Sequence, residues 1–362
     1  MRKKYIRVNA MTVGRKVCVL KDESRIDPIS KELREVLISI YYPSNPVEHE
    51  SKYISLFEPN ISSAVEMLSS MGVDKDYICN LDSKIHNDES VDITAKTCPI
   101  IFVAPAFGVV RDMYSFCVEH LVECGFVVIT IGATHESIFS IFPDGRFVKQ
   151  SNEVSEIESL DIHSWKQLLK LRVEDISWVL ENVAEVLDSD KDLRGIVDVN
   201  EMGIIGHSLG GAAAYELLKR EKRIKASILL DPSFHLMTTS MEEEVSVPLL
   251  VARQEKCSFE ELENEISPDL LPLLLSGYES LFNSSDLNSS FIKLNGTHHM
   301  TFSDIPIHYN EDGIQHKHST INKYISAFLE EHLKKEKNKF HKLLKNKIND
   351  GIDQVNSKGH VI

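Results

Sequence analysis

The stretch Met202-Gly203-Ile204-Ile205-Gly206-His207-Ser208-Leu209-Gly210, running on into residues 211–220 (GAAAYELLKR), decides how this chain is read. Residues 202–205 are a short apolar run of the kind that forms a buried strand, and residues 211–220 are rich in Ala and Leu, which favour helix. A serine between two glycines at such a junction is how a chain exposes one nucleophilic hydroxyl. The turn is too tight for bulky neighbours, so Gly206 and Gly210 let the backbone bend and bring Ser208 Oγ to the top of a sheet. The Leu209 amide then lies at a helix N-terminus, where it can meet a developing oxyanion. Taken alone, the five residues also fit a Gly-rich turn with an N-cap serine; the flanks and the downstream partners weigh against that.

The rest of the chain has the alternation such a junction requires. Residues 17–20 and 34–42 (REVLISIYY) suggest opening antiparallel strands, closed by the turn Pro43-Ser44-Asn45-Pro46. Residues 47–96 are polar and irregular, with an amphipathic piece at 62–71, and read as an insertion outside the core. Buried strands are expected at 99–103 (PIIFV) and 126–131 (FVVITI), with a helix at 114–123 between them. The longest helical pattern is 164–187, where Leu169, Val173, Ile176, Leu180, Val183 and Leu187 recur at spacings of three and four. Further strands are expected at 226–230, 247–252 and 291–294, and a last helix from about residue 320. Strands alternating with helices imply one α/β domain over residues 1–333 with a mostly parallel sheet and helices on both faces. Residues 135–163 and 233–290 are long excursions expected at the strand C-terminal ends, where such sheets bind ligands.

Composition sets outer bounds. The 362 residues carry a net charge of −15, which argues against nucleic acid as a partner, since phosphate binding needs a basic face. The first residues, MRKKYIRVNAMTVGRKVCV, have positive charges without an apolar run or a small-residue cleavage site, so no signal peptide is read and a cytoplasmic location is expected. No window reaches the roughly 18 to 20 apolar residues of a membrane span. Cys18, Cys79, Cys98, Cys117, Cys124 and Cys257 are scattered, without zinc spacing, and read as free thiols. No cofactor and no metal are expected.

A serine hydroxyl is weakly nucleophilic at neutral pH and needs a base to take its proton and a carboxylate to orient that base. Asp231 ends the strand Ala226-Ser227-Ile228-Leu229-Leu230 and would emerge at the same edge as Ser208; it also fits a turn-forming Asp-Pro. Glu255, after the next strand, is the rival acid. For the base, Gly296-Thr297-His298-His299 opens a loop after a strand, and either imidazole could turn inward. The chain order Ser, Asp, His matches the chemistry of the α/β-hydrolases. A second oxyanion donor belongs just after the strand ending near Val103, and the Phe107 amide in Ala104-Pro105-Ala106-Phe107-Gly108 is best placed.

These residues carry a family resemblance. GHSLGG, the Asp231 that follows it, GTHHMTFSD, the run from Phe107-Gly108 through Tyr114-Ser115, and Gly125-Phe126-Val127-Val128 resemble the plasma-type platelet-activating factor acetylhydrolases and their bacterial lipase-like relatives over roughly residues 99–304. The resemblance implies an α/β-hydrolase fold with insertions over the site and a metal-independent serine esterase acting on carboxylic esters such as short or oxidised phospholipid acyl chains. Carried over by position, Ser208 is the nucleophile, Asp231 the acid and His299 the base. The chain departs from the family at Pro105-Ala106, where His-Gly is common, which bears on acyl-chain and leaving-group preference.

The expected reaction is acyl transfer from a small-molecule or lipid ester to Ser208 and then to water, with Phe107 and Leu209 holding the oxyanion. An acyltransferase or thioesterase using the same triad, and a catalytically dead binding module, are the other classes the motif admits. Residues 334–362 open with the basic segment KKEKNKFHKLLKNK and place Phe340, Leu343, Leu344 and Ile348 on one helical face. This reads either as a solvated helical extension or as a peripheral membrane contact.

Overall fold

The computed structural model describes residues 12–47, 49–92, 97–237, 245–284, 289–346 and 351–362. A ten-stranded sheet organises the chain. Its strands are β1 (Thr12–Ile26), β2 (Leu33–Ser44), β3 (Ile85–Asn87), β4 (Cys98–Ala104), β5 (Val127–Ile131), β6 (Val197–His207), β7 (Ile224–Leu230), β8 (Leu249–Arg253), β9 (Ser290–Leu294) and β10 (Ile352–Gln354). They lie in the order β10-β9-β8-β7-β6-β4-β5-β2-β1-β3. The central run from β9 to β5 is parallel, whereas β2 pairs antiparallel with both β1 and β5, and β10 antiparallel with β9. This is the α/β-hydrolase arrangement expected from the alternating pattern.

The central strands are apolar on both sides because both faces are covered. Ile100, Phe102 and Ile204 pack into one core with α3 (Ile162–Ser189) and α4 (Leu209–Leu218). Ile101, Val103 and Ile205 point the other way, into a second core with α2 (Ser115–Glu123) and α5 (Ile314–Leu333). In α3 all six residues of the expected stripe, Leu169 through Leu187, are buried. Asp161 caps the helix by accepting from Ser164 N at 3.1 Å.

Two expectations need correction. Residues 47–92 are not excluded from the core: α1 (Ile61–Ser70) buries Ala64 and Leu68 in the second cluster beside Tyr53, Leu56 and Phe57, and β3 joins the sheet edge beside β1. The apolar residues are few enough to escape periodicity, yet they suffice to seal one face. The C-terminal segment is not an extension of the last helix either. The α5 helix stops at Leu333, Lys335 and Asn338 take positive φ, and a short α6 (Lys339–Lys345) folds back. Phe340 is 1% exposed and packs edge-on against Phe328 at 5.2 Å. Leu343 and Leu344 join the same core. Phe340, Leu343 and Leu344 of the basic segment thus pack against the protein's own core, and Ile348 lies outside the described residues. Among the described residues no helix is long and apolar enough to cross a membrane.

Candidate active site

The turn between β6 and α4 is built by close approach. A Cβ at Gly206 would sit 2.3 Å from the Gly210 carbonyl oxygen, and one at Gly210 would sit 2.2 Å from that of Ala104, so neither position admits a side chain. Between them Ser208 adopts φ 54°, ψ −118°. A non-glycine residue held there stores about 1–3 kcal/mol of strain, which the surrounding packing must sustain. Its amide donates to the Leu230 carbonyl at 3.0 Å, and its carbonyl accepts from Ser233 N at 3.0 Å. The Ser208 turn is thereby stitched to the end of β7, whose Leu230 stands in register with His207.

Asp231 follows immediately, also at positive φ (40°), with its amide donating to Ala252 O at 2.7 Å. Its Oδ2 accepts from His299 Nδ1 at 2.6 Å. Nδ1 therefore carries the ring proton, and Nε2 of neutral His299 is left as the lone-pair nitrogen. Burial works against a charged His299, but the Asp231 hydrogen bond and charge outweigh it and raise its pKa above the ordinary histidine value. Burial likewise opposes the Asp231 carboxylate, yet the His299 hydrogen bond holds it below its usual range, helped by Arg253 with Nε 3.9 Å away. Arg253 is itself fixed by donating to the Cys257 carbonyl at 2.8 Å and by lying over the Tyr278 ring at 4.5 Å.

The sequence left two choices open, and the geometry distinguishes them. His298 turns to the surface, its Nε2 2.9 Å from Glu311 Oε2. Glu255 meets the histidine loop through its backbone, donating to Thr297 O at 3.2 Å, and its carboxylate bonds neither imidazole. Phe107 lies in the loop after β4 with its ring edge-on to Trp165 at 4.9 Å. Neither the Phe107 amide nor the Leu209 amide donates to a described residue, leaving both available to an oxyanion.

Several residues at this site were invisible in the sequence. His207 is 1% exposed and sits between the two halves of the site. Its Nε2 lies 3.0 Å from the His299 carbonyl oxygen, which can only accept, so Nε2 is protonated and Nδ1 accepts from Tyr114 Oη at 3.1 Å. Tyr114 Oη in turn accepts from Ala106 N at 2.8 Å. Burial, reinforced by the nearby His299 charge, pushes the His207 pKa down to about 3, so it stays neutral and keeps this tautomer. On the other side of the loop, buried Arg172 donates to the Pro105 carbonyl at 2.7 Å and pairs with Glu136 at 2.8 Å. Ser233 Oγ lies 3.4 Å from Ser208 Oγ. Tyr114 and His207 stand 93 positions apart, and no local pattern announces their pairing.

A sequence model of "Platelet-activating factor acetylhydrolase, isoform II" matches residues 25–350. The chain belongs to that family. Platelet-activating factor acetylhydrolase from Cavia porcellus is 28% identical over 179 residues, covering 45% of this chain and 41% of that protein. The counterpart from Canis lupus familiaris is 23% identical over 295 residues, covering 74% and 62% respectively. The chain spans about half the length of the curated relatives it matches. In fold, this acetylhydrolase-family chain is similar to a ferulic acid esterase from Streptomyces cinnamoneus, with a TM-score of 0.75, 21% identity, and 95% and 96% of the two chains covered.

Proposed function

We propose that this chain is a serine carboxylic-ester hydrolase with Ser208 as nucleophile, His299 as general base and Asp231 as the residue that orients it. The observation that carries the reading is the 2.6 Å Asp231–His299 hydrogen bond at the strand ends that hold the strained Ser208 turn. As the Ser208 oxygen attacks the ester carbonyl carbon, His299 Nε2 takes the hydroxyl proton and the amides of Phe107 and Leu209 hold the oxyanion. Collapse breaks the ester bond, the alcohol leaves with the proton from His299, and an acyl-Ser208 remains. Water then adds to the acyl carbonyl while His299 takes its proton; the acid departs and Ser208 regains its hydrogen.

Relatives are named platelet-activating factor acetylhydrolase and probable 1-alkyl-2-acetylglycerophosphocholine esterase, and these names favour a short-acyl ester of a glycerophospholipid as the substrate class. The test compares wild type with Ser208→Ala on p-nitrophenyl acetate, p-nitrophenyl palmitate and a 2-acetyl glycerophospholipid. Wild type should prefer the two acetyl esters, and Ser208→Ala should lose nearly all turnover with unchanged circular dichroism. Turnover retained in the folded variant would overturn the nucleophile; preference for palmitate would overturn the substrate class.

A further inference from the structure

At the sheet edge far from Ser208, β3 and the segment after β2 bring together two imidazoles and a carboxylate. The donor atoms of His49, His86 and Glu89 all lie within 4.8 Å of one another. We propose that these three side chains bind one Zn²⁺ ion.

The scaffold under them is ordered. Gly14 of β1 stands beside His86 in the parallel ladder, and Asp88 N donates to Arg15 O at 2.8 Å. Tyr42 Oη donates to the Glu89 carbonyl at 2.7 Å. Asn45 then ties the two segments, with its amide donating to Ser90 O at 3.0 Å and its side chain to Ser90 Oγ at 2.9 Å. These bonds fix the backbone that carries His86 and Glu89 against the backbone that leads to His49. The two rings meet edge-on with centroids 5.1 Å apart.

The donor set and its spacing suit the ion. Three atoms no more than 4.8 Å apart share a point within about 2.8 Å of each, whereas zinc sits about 2.0–2.2 Å from His nitrogen and carboxylate oxygen. Under an ångström of closure is needed, and His49 is exposed and free to supply it. Two imidazoles and one carboxylate select a borderline metal over Mg²⁺ or Ca²⁺, which want oxygen alone. Among the described residues, none of these three side chains is taken up by another hydrogen bond or ion pair. Five strand spacings separate β3 from β6 in the sheet order, roughly 24 Å, so the ion takes no part at Ser208. It would instead clamp the short edge strand to the chain leaving β2.

The test is calorimetric titration of ZnCl₂ into chelator-stripped full-length protein, with His49→Ala, Glu89→Gln and His360→Ala alongside wild type. His360 is an exposed imidazole paired with Glu260 at 2.9 Å and controls for adventitious surface binding. Wild type and His360→Ala should bind one equivalent and gain thermal stability with zinc. Losing a direct ligand should cost at least the roughly 10- to 100-fold that loss of a supporting hydrogen bond costs, so His49→Ala and Glu89→Gln should weaken binding by that factor or more and lose the gain in Tm. His49 is exposed, so its variant keeps the fold. No binding by wild type, or equal binding by His49→Ala and wild type, overturns the site.

Discussion

The His207 imidazole donates from Nε2 to the His299 carbonyl at 3.0 Å, so the residue preceding Ser208 holds the backbone of His299. Through Tyr114 the same ring reaches the Ala106 amide, one residue before Phe107, the oxyanion donor we propose. The bond between Tyr114 and His207 thus ties the loop that carries Phe107 to the loop that carries His299. Tyr114→Phe removes the hydroxyl while keeping the ring. We expect kcat to fall by up to about 100-fold with KM little changed, as for a small displacement of reacting groups. His207→Gln, whose amide can still donate to His299, should retain more activity than His207→Ala. Steady-state kinetics of the three variants check this, and equal losses in the two His207 variants would contradict it.

Asp231 and Glu255 offer a direct contrast. Asp231→Asn should lower kcat by about 10,000-fold, because an amide no longer selects the Nδ1–H tautomer, while Glu255→Gln should stay near wild type. The pH profile supplies the sign. A general base at His299 works unprotonated and the His299 pKa is raised, so wild-type kcat/KM should fall as pH drops through a value above that of an ordinary histidine. In Asp231→Asn burial acts without the opposing carboxylate, and the limb should move to lower pH.

Gly210→Ala tests whether the turn depends on close backbone approach. Its Cβ would meet the carbonyl oxygens of Ala104 and Pro105 at 2.2 and 2.5 Å, both of them backbone atoms that cannot rotate away. We expect a loss of at least about 1–3 kcal/mol in urea unfolding, together with lost turnover as the oxyanion loop is pushed off. Wild-type stability and activity in this variant would contradict the packing described.

Phe340 decides between a tail and a structural element. Packed against Phe328 and capped by Glu331, which accepts from Phe340 N at 2.7 Å, it should cost about 3–5 kcal/mol on replacement by Ala. A solvated extension would show almost no change in the denaturant midpoint.

How much of this was legible follows from range. The β6-turn-α4 junction and the stripe on α3 are encoded within a few residues, so glycine spacing and periodicity sufficed to find them. Asp231 was reachable because it ends the strand that follows α4 in sequence. The choice of His299 over His298 depended on which side of the loop faces β7, and spacing alone left that open. The Tyr114–His207 and Arg172–Glu136 bonds span 93 and 36 positions, Arg253 and Asp231 belong to different strand ends, and each residue looks ordinary in its own neighbourhood. The β3 strand is three residues long, too short to carry an alternating pattern. At the C-terminus the amphipathic pattern was real, but pattern alone does not say what covers an apolar face, and here the protein's own core does.

The central claim is that Ser208 is the activated nucleophile. Wild-type protein treated with a fluorophosphonate, digested and read by mass spectrometry should carry one adduct, on Ser208, and Asp231→Asn should label far more slowly. An adduct on another residue, or none in a preparation that hydrolyses esters, would contradict the account.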